Sequence, residues 1–244
     1  RVDLTPNTCV IVEDNGRRGL KRVVSAIRDA GGSLVYILHV GHTPQRRNVD
    51  ELKAVCPELT HLDFAELLAG PLTTELGRSL TRARVQQYQR YFADADRVLI
   101  LLHNEPDPDA IAAGLALRNV LRRTKATAII GAVQGVTRPE NLRMVDMLDI
   151  QIETITPAEF AGFDRIATVD VQPHYFGGLL PRVDLVIDHH PEQPGYTSVF
   201  KDIRADYGST CTILTEDLRA VDVNISERTA TAMLYALKSE TLFF

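Results

Sequence analysis

Apolar residues come along this chain in short continuous runs that take turns with stretches spaced for helices, the pattern of a parallel sheet covered by helices. Cys9 to Glu13 reads as a strand, Gly19 to Asp29 as an amphipathic helix stopped by Gly31-Gly32, and Ser33 to Val40 as a second strand. A βαβ unit therefore opens the chain. His61 to Phe64 supplies a third short strand after a polar connection holding Pro44 and the pair Arg46-Arg47. From Pro71 to Tyr91 the residues are polar and helix-favouring, with spaced Leu and Val, which predicts a connecting helix and a domain boundary. A second block follows, with strands over Arg97 to His103, Thr127 to Val133, Arg165 to Asp170 and Leu185 to Asp188. Its helices run over Asp109 to Arg122, near Glu140 to Leu148, Ser209 to Leu218 and Ser226 to Lys238. The predicted organisation is α/β throughout: one domain over 1–70, a helical connection over 71–94 and a second domain over 95–244.

Three apolar strands of the second block run straight into acidic or imidazole residues. Val98 to Leu102 leads to His103 and to Asp107-Pro108-Asp109, Ile166 to Val169 leads to Asp170, and Leu185 to Ile187 leads to Asp188-His189-His190. In a parallel sheet the carboxyl ends of the strands share one crevice, so four carboxylates and three imidazoles converge there. Taken alone, Asp107-Pro108-Asp109 is a turn followed by a helix cap, and Asp170 is a turn residue. Two adjacent imidazoles at a sheet edge serve packing poorly, and the three pieces together point to chemistry. Anions so crowded repel and push one another towards neutrality, a cost that divalent cations remove. An oxygen and nitrogen donor set without thiolate suits Mn²⁺ or Mg²⁺, and also Fe, Co²⁺ or Zn²⁺. The ligand count exceeds one octahedral shell that must also admit water and substrate. Two cations roughly 3.5–4 Å apart are therefore expected, clamping the oxygens of an in-line phosphoryl displacement.

Composition narrows the partners. With 45% hydrophobic residues in 244, and 27 Lys and Arg set against 32 Asp and Glu, the chain is an ordinary folding sequence. A net charge of −5 disfavours long duplex DNA while leaving room for a local basic groove that holds a short nucleic acid. Cys9, Cys56 and Cys211 are far apart and lack CxxC spacing, so reduced, mostly buried thiols are expected. No run approaches a membrane span and no secretory pattern opens the chain, which predicts a cytoplasmic protein without a membrane partner. Beginning on Arg1 and stopping at Leu242-Phe243-Phe244 after an apolar run, the sequence is expected to be a piece of a longer protein.

These residues resemble the DHH phosphoesterases, named for the triplet present here as Asp188-His189-His190, and the similarity spans roughly residues 95 to 244. His103-Asn104-Glu105-Pro106-Asp107-Pro108-Asp109-Ala110 is similar to the first motif of the nanoRNase, pAp phosphatase and cyclic-dinucleotide phosphodiesterase branch. Asp170-Val171-Gln172-Pro173 resembles the second motif, and Asp188-His189-His190-Pro191 the third. The resemblance implies that His103, Asp107 and Asp170 hold one cation and that Asp109, Asp170 and His189 hold the other, Asp170 bridging. It further implies His190 at the scissile phosphate, oriented with its neighbours by Asp188, and Mn²⁺ as the leading metal, with Mg²⁺ or Co²⁺ as substitutes. Asp202-Ile203-Arg204 and Gly208-Ser209-Thr210 resemble the segment after the triplet, which implies that Arg204 and the amides of Gly208, Ser209 and Thr210 bind substrate phosphate. Where the family's fourth motif carries Asp, this chain reads Ser239-Glu240-Thr241, so Glu240 stands in as the last metal ligand.

The family's C-terminal DHH-associated domain does not follow in these residues, and weak or no turnover is expected of the catalytic half alone. The activity implied is hydrolysis of short single-stranded oligonucleotides or small nucleotides, by a protein for which a homodimer is compatible. An inorganic pyrophosphatase and a nonenzymatic nucleotide sensor are the alternatives. In the first block, Val10 to Gly19 is similar to the strand, glycine turn and helix of TrkA-type Rossmann domains. Asp14 takes the place of the first glycine, where its charge opposes a pyrophosphate, and His39 and Val40 stand where an acid would hold ribose. The Val12-Glu13-Asp14-Asn15 opening also resembles response-regulator receivers, but no later strand of the block ends in a phosphoacceptor Asp.

Overall fold

The structure, a computed structural model, describes residues 4, 8–14, 19–32, 34–41, 46–180 and 182–242. The chain divides into two compact units, Arg1–Gly77 and Arg78–Phe244. In the first, strands β1 (Cys9–Asp14), β2 (Leu34–His39) and β3 (Thr60–Asp63) pair in parallel in that order. Helices α1 (Leu20–Asp29) and α2 (Arg46–Val55) connect them, and Val24, Val35, Ile37, Leu52, Cys56 and Leu59 form the core. The turn over 15–18, where a nucleotide site is sought from the sequence, lies outside the described residues, as does Pro44. His39 is buried at the end of β2, its Nδ1 3.0 Å from Asp14 Oδ2 and its Nε2 2.8 Å from His61 Nδ1.

Several sequence expectations change here. The connection with Arg46-Arg47 forms helix α2, because Val49, Leu52 and Val55 recur at helical spacing beneath a polar majority, and Leu52 is buried. Helix α3 (Phe64–Ala93) begins seven residues before Pro71, since Asp63 Oδ1 caps it by accepting from the amides of Ala65 at 2.8 Å and Glu66 at 3.3 Å. Phe64 therefore belongs to a helix and not to β3. Cys56 and Cys211 are buried as expected, whereas Cys9 is exposed on β1.

The second unit holds six parallel strands in the order β6-β5-β4-β7-β8-β9. They are β4 (Val98–Leu102), β5 (Ala128–Ala132), β6 (Glu153–Thr154), β7 (Arg165–Val169), β8 (Arg182–Asp188) and β9 (Thr197–Ile203). Helices α4 (Pro108–Val120), α5 (Pro139–Met147), α6 (Thr210–Ala220) and α7 (Glu227–Glu240) complete it. All five residues of β4 are fully buried, which is why the strand reads as a continuous apolar run with no alternation. Each of its side chains contributes roughly 1.5–3 kcal/mol by leaving water. Helix α4 is buried on nearly every side and built of small residues: a Cβ on Gly114 would stand 3.1 Å from Ile130 and 3.3 Å from Leu102. Such close packing seats the middle of α4 directly on the sheet.

Numbered within this unit, the strand order is 3-2-1-4-5-6, so the chain leaves β4 towards one sheet edge and later resumes at β7 towards the other. The carboxyl ends of β4 and β7 therefore open a crevice between them. Pairing of Leu101 with Thr168 and of Val169 with Ile187, carried forward in register, sets His103, Asp170 and Asp188 side by side. Strand β9 was not anticipated; it is an edge strand whose alternating exposure includes Lys201. Among the described residues, no helix is long and apolar enough to cross a membrane.

Candidate metal centre

The first motif is a turn and a helix cap, and that construction aims its side chains. Asp107 caps α4, its Oδ1 accepting from the Ala110 amide at 2.9 Å, with Pro108 at the first helical position. Asn141 Nδ2 donates to the Pro106 carbonyl at 3.0 Å and fastens the turn. His103 Nδ1 lies 2.8 Å from the Asn104 carbonyl. A carbonyl only accepts, so Nδ1 carries the proton and Nε2 is turned inward, 3.7 Å from Asp107 Oδ2 and 3.7 Å from Asp170 Oδ2. His189 repeats the arrangement: its Nδ1 donates to the Tyr207 carbonyl at 3.1 Å and its Nε2 stands 3.6 Å from Asp170 Oδ1.

Asp170 lies between these imidazoles. It follows β7 in the left-handed region at φ 58°, an uncommon backbone for a residue with a side chain, and it is almost wholly buried. Thr210 Oγ1 donates to its Oδ1 at 2.8 Å. Two groups that could hold a metal ion, His103 with Asp107 and Asp170, and Asp170 with His189 and His190, each bring ligand atoms within 4.8 Å of one another. Asp170 is common to both. Burial drives its carboxyl well above the ordinary range, and the charges of Asp109 and Asp107 add to this, Thr210 offsetting only a part. Burial acts on Asp107 in the same sense, but the His103 contact and the Ala110 amide outweigh it and hold that carboxyl low. For His103, burial disfavours the charged ring, and Asp107 with the Asn104 carbonyl overcomes this and raises it.

In the triplet, Asp188 is buried and organises the loop. Its Oδ1 accepts from His190 Nδ1 at 2.9 Å and its Oδ2 from Gln172 Nε2 at 2.7 Å. His190 is thereby raised, chiefly by Asp188, while its side chain stays 59% exposed and its Nε2 is not taken by the bond to Asp188. Burial pushes Asp188 up, but the bonds from His190 and Gln172 outweigh it and hold it low. Gln172 carries a role that residue type did not announce. Buried beside Asp170, it also donates to the carbonyls of His190 at 3.3 Å and Pro191 at 3.2 Å, and its Oε1 accepts from the Gln193 amide at 2.8 Å. The only sequence signal was its place in the second motif.

The remaining candidates divide. Asp109 is fully buried and accepts from the amides of Thr210 at 2.7 Å and Cys211 at 3.1 Å, one on each oxygen. The first amides of α6 are thus taken by Asp109, and that of Thr212 by Ser209 Oγ at 3.1 Å, so these residues act in this structure as a scaffold for the carboxylates. Gly208 leaves room for Thr241, whose Cγ2 would stand 3.2 Å from a Cβ. Arg204 is bound at both Nε and Nη2 by Asp202, at 2.8 and 3.0 Å, and Nη1 by Tyr207 and Glu216; none of its described bonds reaches the carboxylate pocket. Glu240, at the exposed end of α7, is raised by burial and by the charges of Asp107 and Asp109, which places it within electrostatic reach of the centre.

Beside Arg204 is a buried ion network with a measurable pH signature. Arg84 Nη2 lies 3.1 Å from Asp202 and 3.6 Å from Asp217, and Asp217 is fully buried with neither oxygen within ordinary hydrogen-bond distance of a donor among the described residues. Burial first, and the charge of Asp202 second, push its carboxyl up to about 7. A carboxyl raised in the folded state costs stability that appears as pH climbs past its unfolded value near 3.9 and is complete above about 7. Asp217→Asn is therefore expected to exceed the parent in stability by roughly 1–3 kcal/mol at pH 8 and by less at pH 5. Urea unfolding at the two pH values checks this; a gap that widens on acidification would refute it.

A doubly wound α/β domain with carboxylates and imidazoles gathered at its switch point defines the class of this protein. The pattern of the DHH family, N-terminal domain, matches residues 97–237, more than half of the chain, and the chain belongs to that family. It is 32% identical over 148 residues to an uncharacterized protein of Methanocaldococcus jannaschii, a match covering 60% of this chain and 31% of that protein. The chain thus spans about a third of the length of this curated relative. A crystal structure of an exopolyphosphatase-related protein from Bacteroides fragilis is similar with a TM-score of 0.52 at 18% identity, over 66% of this chain and 51% of that one. At that identity the likeness concerns the fold.

Proposed function

We propose that the second unit binds a pair of divalent cations and hydrolyses phosphoester bonds of short oligonucleotides or small nucleotides, as a metal-dependent phosphoesterase of the DHH family. The observation that carries the reading is the clustering of His103, Asp107 and Asp170 ligand atoms within 4.8 Å, with both flanking imidazoles locked by backbone carbonyls so that Nε2 faces the carboxylates. The donors fit a cation: the cluster offers oxygen and imidazole nitrogen atoms, and the charges of Asp109 and Asp107 press on the buried Asp170 carboxyl. His103, Asp107 and Asp170 would hold one ion, and Asp109, Asp170, His189 and Glu240 the other. Asp109 suits this because each oxygen, though bonded to one amide, keeps a further lone pair and a fixed direction.

Bound cations of this kind supply Lewis acidity at phosphoryl oxygens and ease deprotonation of water. The chain's own work is arrangement and proton handling. Asp188 keeps the proton of His190 on Nδ1, and the remaining Nε2 would hold or deliver a proton at the phosphate or its leaving oxygen. Gln172 fixes Asp188 and the backbone on both sides of His190. Choice among Mn²⁺, Mg²⁺ and Co²⁺, and among a linear dinucleotide, a cyclic dinucleotide, pAp and pyrophosphate, is read directly. Isothermal titration gives cation affinity, and chromatography of each substrate gives product. Cation-dependent release of nucleotide supports the assignment; failure to bind any of the three cations would overturn it.

A further inference from the structure

We infer that Tyr175 is a stacking platform for the base of a nucleoside-bearing substrate, and so a specificity residue that separates nucleotides from inorganic polyphosphate. The inference rests on the proposed phosphoesterase activity and names the chemistry of its substrate.

Tyr175 lies in the short 3-10 turn Pro173–Phe176 that directly follows the second motif. The residue is 48% exposed, and its ring meets the His103 ring edge-on, with centroids 6.5 Å apart at 74°. His103 Nε2 lies 3.7 Å from both Asp107 and Asp170, so the partly exposed tyrosine touches an imidazole of the candidate metal centre. Among the described residues, its hydroxyl has no recorded hydrogen bond to explain the choice of tyrosine at a wet position.

The platform is rigid. Buried Phe176 backs it edge-on at 5.2 Å and 85°, the Tyr175 amide donates to the Gln172 carbonyl at 3.0 Å, and Gly177 closes the turn at φ 60° with its amide on the His174 carbonyl. Gln172 in turn is bonded to the triplet loop, so the turn that carries Tyr175 is tied to the backbone beside His190. An aromatic face held immobile and wet beside a phosphate site has its apolar surface available at little further ordering cost. A nucleobase can cover it; a phosphate chain, which has no π face and strong hydration, cannot.

The test compares Tyr175→Ala, Tyr175→Leu and Tyr175→Phe on a linear dinucleotide and on inorganic tripolyphosphate. Base stacking predicts that Ala raises KM for the dinucleotide by about 10–100-fold with kcat within about twofold, and that Phe restores it. Leu should restore little, and tripolyphosphate kinetics should not respond to any of the three. Equal losses on both substrates, no change on either, or full rescue by Leu would overturn the inference. A dinucleotide carrying 2-aminopurine, whose fluorescence is quenched on stacking, reads the same contact without turnover. Quenching lost in the Ala variant supports the platform even if hydrolysis fails and the phosphoesterase reading falls; unchanged quenching overturns it whatever the activity.

Discussion

Asp170→Asn is expected to abolish cation-dependent hydrolysis and to weaken cation binding by more than about 100-fold, since loss of a mere outer partner of a ligand already costs 10–100-fold. Asp170 is the one residue shared by both candidate groups, so its loss strikes both ions together. Asn can still accept from Thr210 Oγ1 and can still occupy the left-handed backbone at φ 58°, which keeps the substitution local. The charge change has a second, opposite consequence. Without cations the carboxylate is held against burial and the charges of Asp109, Asp107 and Asp188, so the variant should be at least as stable as the parent in chelator. On adding Mn²⁺ the parent's melting temperature should rise and the variant's should not. Calorimetric titration and thermal unfolding in parallel test both halves; a variant that retains full metal binding and turnover would remove Asp170 from the centre.

Asp109→Ala should fail differently, through the fold. Its two oxygens are the acceptors for the buried amides of Thr210 and Cys211 at the start of α6. An alanine leaves both donors without a partner in a site closed to water, at about 1–3 kcal/mol for each. A loss of roughly 3–5 kcal/mol is expected from urea unfolding, with Asp109→Asn intermediate because its carboxamide offers one oxygen in place of two. A loss under about 1 kcal/mol would mean that α6 finds its cap elsewhere.

Much of this architecture was legible because burial leaves a strong imprint on sequence. Strand β4 is fully buried and appears as an uninterrupted apolar run, β7 and β8 are buried and mostly apolar towards their carboxyl ends, and all three lead into the residues that build the site. The carboxylates and imidazoles were visible as breaks in that pattern. Strand order was not legible: alternating strands and helices imply a parallel sheet but leave open which strands adjoin, and the 3-2-1-4-5-6 order belongs to the second unit although the glycine turn drew attention to the first. The start of α3 could have been found, since Asp63 followed three residues later by Glu66 has the form of a helix-start signal. Gln172 could not, because its partners are backbone carbonyls and a carboxylate eighteen or so residues away, and no periodicity encodes such bonds. The occupation of the α6 amides by Asp109 and of Arg204 by Asp202 was equally hidden, being a matter of which of several polar neighbours arrives first.

Strand β4 is bound on one side by β5, close in sequence, and on the other by β7, whose pairing joins Val98 to Arg165. A chain emerging from the ribosome therefore presents His103, Asp107 and Asp109 long before Asp170 and His189 exist to meet them. Half a ligand set grips a cation weakly, so tight uptake must await insertion of β7 and β8. Metal capture would then be among the last events of refolding and would advance at the pace of these long-range strand pairings.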